Sequence, residues 1–128
     1  MILDKALTFS DRQALAANTY STDSLDIGGV QVDGLVLHLA LQSESGTSPT
    51  LDVELETSSD GNTYSMVFGL KKPAGAMEFG SGLHGVRLKR YVRLRYVLGG
   101  SIPAFVVTAA LVTGSQLNRA YPDSPRQA

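Results

Sequence analysis

Tyr91-Val-Arg-Leu-Arg-Tyr-Val-Leu98 and Ile102-Pro-Ala-Phe-Val-Val-Thr-Ala-Ala-Leu-Val-Thr113 decide the fold class. The first alternates large apolar with cationic side chains through its centre, which is the period of an extended strand. Val92, Leu94, Tyr96 and Leu98 fall on one face, and Tyr91, Arg93, Arg95 and Val97 on the other. A sheet with one dry and one charged face points to antiparallel pairing and away from a buried parallel sheet. In the second segment Phe105, Val107, Ala109, Leu111 and Thr113 oppose Val106, Thr108, Ala110 and Val112. Both faces are nearly apolar, so this strand is central or meets another subunit. Pro103 stands where a strand start tolerates it. Gly99-Gly100-Ser101 predicts a turn that sets the two segments side by side as neighbouring strands.

The same period recurs upstream. Leu35, Leu37, Leu39 and Leu41 share one face of a predicted strand over 35–42. Over 50–57, Leu51, Val53 and Leu55 point inward and Asp52, Glu54 and Glu56 outward. Asp60-Gly61 is the strongest hairpin signal in the chain, and 63–70 returns with Tyr64, Met66 and Phe68 on one face. Composition predicts a loop at 43–49, and Lys71-Lys-Pro-Ala-Gly75 breaks the sheet. A Gly-rich stretch over 77–83 predicts a loop holding one short strand, and 85–89 a strand or a turn. Ser24-Leu-Asp-Ile-Gly28 is a candidate first strand. The whole predicts an all-β domain over 23–114, an antiparallel β-sandwich of jelly-roll type. It is flanked by an arm at 1–22 and a tail at 115–128. Ser10 and Gln13 allow a capped helical turn over 9–17, with weak apolar spacing.

At 128 residues and 43% hydrophobic, the chain can bury a core without staples. It has no Cys, which excludes disulfides and thiolate metal sites. A net charge of -1 gives no general attraction to nucleic acid or anionic lipid. Met1-Ile-Leu-Asp-Lys-Ala-Leu7 carries an early acid and no basic region, so no secretory signal is expected. The longest apolar run, 104–112, is too short to span a bilayer as a helix.

Few groups suggest chemistry. Only His38 and His84 could join carboxylates in a zinc site, which needs about four ligands. No serine stands in a G-x-S-x-G turn. Asp52, Glu54 and Glu56 recur at about 7 Å along one strand face, a spacing that fits paired-carboxylate sugar hydrolysis. A solvated strand face explains them more simply. If their strand neighbours the Arg93–Arg95 strand, opposite charges meet across the ladder. The basic run Arg87, Lys89, Arg90, Arg93 and Arg95 with Tyr91 suggests a single-strand nucleic-acid platform. The net charge and the inward face of Tyr96 argue against it.

Four stretches carry a resemblance. They are Met1-Ile-Leu-Asp-Lys with Phe9-Ser-Asp11, the hairpin Leu51-Asp-Val-Glu-Leu-Glu-Thr-Ser-Ser-Asp-Gly61, Lys89-Arg-Tyr-Val-Arg-Leu-Arg-Tyr-Val-Leu98, and Val107-Thr-Ala-Ala-Leu-Val112. Together they resemble the small capsid cement or decoration proteins of tailed bacteriophages, particularly the Bordetella-phage-like cement family. The resemblance implies a jelly-roll homotrimer on the capsid exterior that bridges major capsid proteins, with no cofactor and no catalysis. From side-chain character, Leu3, Leu7 and Phe9 in the arm and Leu117 and Tyr121 in the tail are the expected contact residues. Arg87, Lys89, Arg90, Arg93 and Arg95 are the expected polar contacts. The competing expectations are a carbohydrate-binding or receptor-binding tail module with Tyr64, Tyr91 and Tyr121 grouped, and a small hydrolase using Asp52 or Glu54.

Overall fold

A computed structural model describes residues 7–28 and 34–113. Its described elements are seven strands: β1 (Thr8–Leu15), β2 (Thr19–Tyr20), β3 (Leu25–Asp26), β4 (Leu35–Ser58), β5 (Ser65–Lys71), β6 (Glu78–Gly82) and β7 (Tyr91–Thr113). All pair antiparallel in one sheet along the path β1-β7-β4-β5. β2 and β3 add to β7, and β6 to β4. The fold is all-β and antiparallel, as the alternating segments predict.

The spine differs from expectation. The two segments read as a hairpin are one strand, β7, which pairs with β4 along its whole length, from Leu35↔Thr113 to Ser58↔Tyr91. Gly99-Gly100-Ser101 bends that strand without reversing it. Residues 43–49, expected as a loop, stay in the ladder and bend with it, through register shifts between Leu41 and Thr50. Gly46 (φ 113°) and Gly100 (φ 96°) take left-handed backbone at this corner. A Cβ at Gly46 would lie 2.7 Å from the Ile102 carbonyl oxygen, and one at Gly100 2.5 Å from that of Ser48. The two bent strands therefore interlock through positions that only glycine fits.

The bend brings the halves of the spine together. Tyr96 lies in the first half of β7, while Ser10 pairs opposite Ala109 in the second. Thirteen residues of straight strand would hold them roughly 40 Å apart. Instead the Tyr96 hydroxyl is 2.7 Å from Ser10 Oγ. Ser10 donates to Gln13 Oε1 at 2.6 Å, so the Tyr96 phenol donates to Ser10. Burial raises the Tyr96 pKa, while the Ser10 bond acts the other way. One core takes inward residues from both halves: Leu37, Leu39, Phe105 and Val107 from one, Val53, Leu55, Leu94 and Tyr96 from the other.

The 9–17 window is strand β1, and Phe9 is fully buried in the core. On β5, Phe68 and Leu70 pack against the core, while Met66 is 56% exposed. A register shift between Leu55 and Glu56 turns Met66 off the face expected for it. The turn at Asp60-Gly61 forms as predicted, with Gly61 at φ 80°. Asp60 Oδ1 accepts from the Thr63 and Asn62 amides, which with Ser58 hold its pKa down at about 2. The 77–83 stretch holds β6, and 85–89 forms no strand.

Candidate interaction surface

The outward face of the spine's first half carries the charges singled out in the sequence. β4 and β7 place Glu54 opposite Arg95 and Glu56 opposite Arg93. Arg93 Nε reaches Glu56 Oε1 at 2.7 Å, and Arg95 Nη1 reaches Glu54 Oε1 at 3.2 Å. On the β5 side, Lys71 Nζ lies 3.3 Å from Asp52 Oδ2. Each carboxylate of the row is thus engaged by a cation within the chain. The ladder pairing expected for these groups is present, and it is intramolecular.

Arg93 is held from both flat sides. Its guanidinium carbon lies 3.9 Å from the Tyr20 ring centroid and 4.0 Å from that of Tyr64. Cation–π attraction and the Glu56 bond together fix the planar group. The aromatic grouping expected from sequence included Tyr64, Tyr91 and Tyr121. Tyr64 is joined by Tyr20 instead, Tyr91 lies beneath Arg90, and Tyr121 is outside the described residues. No periodicity of the sequence marks Tyr20, because it sits on a two-residue strand.

The remaining expected contacts divide. Leu3, Leu117 and Tyr121 lie outside the described residues. Leu7 packs partly buried against the core. Phe9 is wholly internal, so it offers no surface to a partner. Arg87 and Lys89 are exposed. Arg90 is exposed but clamps Asp26 through two bonds, Nε to Oδ1 at 3.1 Å and Nη2 to Oδ2 at 3.0 Å. That bond and the Gly28 amide hold Asp26 below the usual carboxylate range.

His38 is buried, with Nε2 3.6 Å from Glu78 Oε1. Desolvation lowers its pKa, and Glu78 opposes the shift. Among the described residues, no three His, Asp or Glu side chains gather as a metal site would require.

Sequence reading missed two apolar features. Ile102 stands 89% exposed at the corner tip. A recess of about 520 Å³ opens over Gly69, lined by Asp52, Val53, Glu54, Met66, Leu70 and Lys71. Neither has a periodic signature, since both arise where the ladder bends or loses a side chain. No protein-family model matches the chain, and no curated protein matches it.

Proposed function

We propose that the chain is a structural capsid cement protein, a homotrimer on the exterior of a phage head that clamps neighbouring major capsid proteins. The observation that carries the reading is how the polar groups are used. The outward acids and cations of the spine bind one another, while exposed apolar groups such as Met66 and Ile102 are left to meet a partner. That suits a rigid brace that works by contact. The resemblance of the four quoted stretches supports the same role, and the doubled-back spine is consistent with a jelly-roll-like β-sandwich. Partners on this reading are two further copies and the shell protein, with nucleic acid and membrane playing no part.

Light scattering at several concentrations tests it first. A stable species at three times the 13.6 kDa chain mass, co-sedimenting with empty capsid shells, is expected. A persistent monomer that ignores the shell ends this account.

A second reading rests on the Tyr20–Arg93–Tyr64 stack. An exposed Tyr20 and a half-buried Tyr64 beside a fixed guanidinium suit a sugar ring and its hydroxyls, as a carbohydrate-binding or receptor-binding module would need. Glycan-array binding that Tyr20→Ala abolishes would favour it over the brace.

A further inference from the structure

Aspartate followed by glycine is the step at which a peptide backbone most readily rearranges. The glycine nitrogen attacks the aspartate Cγ. A new N–Cγ bond forms, the nitrogen gives up its proton, and the carboxyl loses an oxygen as water. Water then opens the resulting imide ring on either side. One opening restores aspartate, and the other leaves isoaspartate, with the main chain routed through Cγ. Glycine hinders neither step, because it carries no side chain. The chain has two such steps, Asp33-Gly34 and Asp60-Gly61. Asp33 lies outside the described residues, and Asp60 is exposed to the water the reaction needs.

At Asp60-Gly61 both reacting groups are engaged elsewhere. Ser58 ends β4, pairs with Tyr91 of β7 and is 1% exposed. Its Oγ accepts from the Gly61 amide at 2.9 Å and from the Asp60 amide at 3.2 Å. The nitrogen that would attack is therefore held by an oxygen of a third residue. The carboxylate is turned onward along the chain. Its Oδ1 accepts from the Asn62 amide at 2.8 Å, the Thr63 amide at 3.0 Å and the Ser58 hydroxyl at 2.8 Å. Such side-chain bonds to nearby backbone fix the turn that Gly61 closes at φ 80°. The Thr63 and Asn62 amides, then the Ser58 hydroxyl, keep the carboxyl ionised, with a pKa of about 2. An ionised carboxyl sheds an oxygen far less readily than a neutral one.

We propose that Asp60-Gly61 is a latent isoaspartyl site that Ser58 holds closed. To form the ring, the Gly61 amide must leave Ser58 Oγ while the carboxylate leaves the Asn62 and Thr63 amides. The folded protein reaches that arrangement only when the turn opens locally, so its rate is the unfolded rate scaled by the open fraction. Ser58 suits the task because the ladder fixes it opposite Tyr91, outside the turn that opens. A lapse is local and lasting. Isoaspartate adds a carbon to the main chain and removes the side-chain acceptor from the Asn62 and Thr63 amides. The turn between β4 and β5 then cannot re-form as it was. The guard acts whatever the chain binds, and it matters most in a part that is not replaced once in place.

Isomerisation leaves the mass unchanged, so the products are separated by chromatography after cleavage at glutamate. That cleavage puts Asp33 and Asp60 on different fragments, because Glu44, Glu54 and Glu56 lie between them. The full chain is incubated folded and, in parallel, unfolded in urea. Isoaspartate at position 60 should accumulate far more slowly in the folded protein. Ser58→Ala, shown to be folded by a cooperative melt, should raise the folded rate about tenfold, the equivalent of one or two lost hydrogen bonds. Asp60→Glu should remove the product at this position and identify its peak. The folded and unfolded parent can be compared without any variant, so the closed site is decided even if Ser58→Ala does not fold. A folded parent that reacts as fast as the unfolded chain overturns the proposal. A folded Ser58→Ala at the parent rate removes Ser58 from it. A slower Ser58→Ala would make the hydroxyl a proton relay from the Gly61 amide to the carboxylate, which equally overturns a guard.

Discussion

Two buried polar residues show how single side chains set conditions on this fold. His38 is buried between β6 and β7, with Ala110 on one flank, Gly80 on the other, and Glu78 as its ionisable neighbour. Burial lowers its pKa below 6.5, so the folded protein favours the neutral ring. The unfolded chain binds the extra proton first as pH falls. Stability from this group is therefore complete above pH 6.5 and is lost as pH falls through the depressed folded value. Urea unfolding between pH 8 and 5 should show that decline, and His38→Gln should flatten it; an unchanged slope would mean other groups dominate. Lys72 is the second case. Its side chain is 1% exposed, and Nζ meets Glu44 Oε1 at 2.9 Å, the Pro73 carbonyl at 2.9 Å and the Ala76 carbonyl at 3.1 Å. Two backbone carbonyls thus accept hydrogen bonds from the ammonium, and Glu44 neutralises it as an ion pair inside the bend of β4. Lys72→Met should cost roughly 3 kcal/mol, because Glu44 is left beside an apolar group. Adding Glu44→Gln should recover part of that loss, and equal melts for the single and double variants would show that the pair is uncoupled.

At the scale of elements, the corner decides the architecture. Gly46 and Gly100 combine positive φ with backbone at contact distance, whereas Gly69 has open space and an ordinary backbone. Gly46→Ala or Gly100→Ala should each destabilise by roughly 2–4 kcal/mol, from strain plus overpacking. Gly69→Ala should change stability by less than about 0.5 kcal/mol. Comparable melts for all three would refute the interlocked corner. The same contrast explains what the sequence made legible. Period-2 alternation reports which face of a strand is dry, so Leu51, Val53, Leu55, Val92 and Leu94 were readable as core. The charge ladder followed once Glu54 and Arg95 shared neighbouring strands. Alternation says nothing about whether Gly-Gly-Ser reverses a chain or bends it, because both need positive φ. Which it does depends on the partner strand, and the matching Gly46 lies more than fifty residues away. Ile102 and the Gly69 recess were illegible for the same reason, since each is a property of two strands meeting.

At the scale of the molecule, the spine joins residues 35–58 to 91–113, and most of its pairing is remote in sequence. Folding must close those loops before the ladder rewards it, so rates in the millisecond-to-second range are expected. The N-terminal strand completes the body that the spine leaves open. β1 covers the free edge of the second half of β7, from Thr8↔Ala110 to Leu15↔Phe105. Phe9 enters the core, and Ser10 receives the Tyr96 hydroxyl across it. Removing residues 1–10 would therefore take away more than a contact arm. Losing a buried phenylalanine alone costs roughly 3–5 kcal/mol, and the orphaned Tyr96 hydroxyl adds about 1–3 kcal/mol. That sum rivals the whole stability of a domain of this size. The 1–10 deletion should be unfolded or aggregated by circular dichroism, whereas deletion of residues 1–6 alone spares β1, Phe9 and Ser10. Only the shorter deletion can test the arm as a contact with a neighbouring copy or shell. A well-folded 1–10 deletion would mean that β1 is dispensable, and that the core closes over Tyr96 without it.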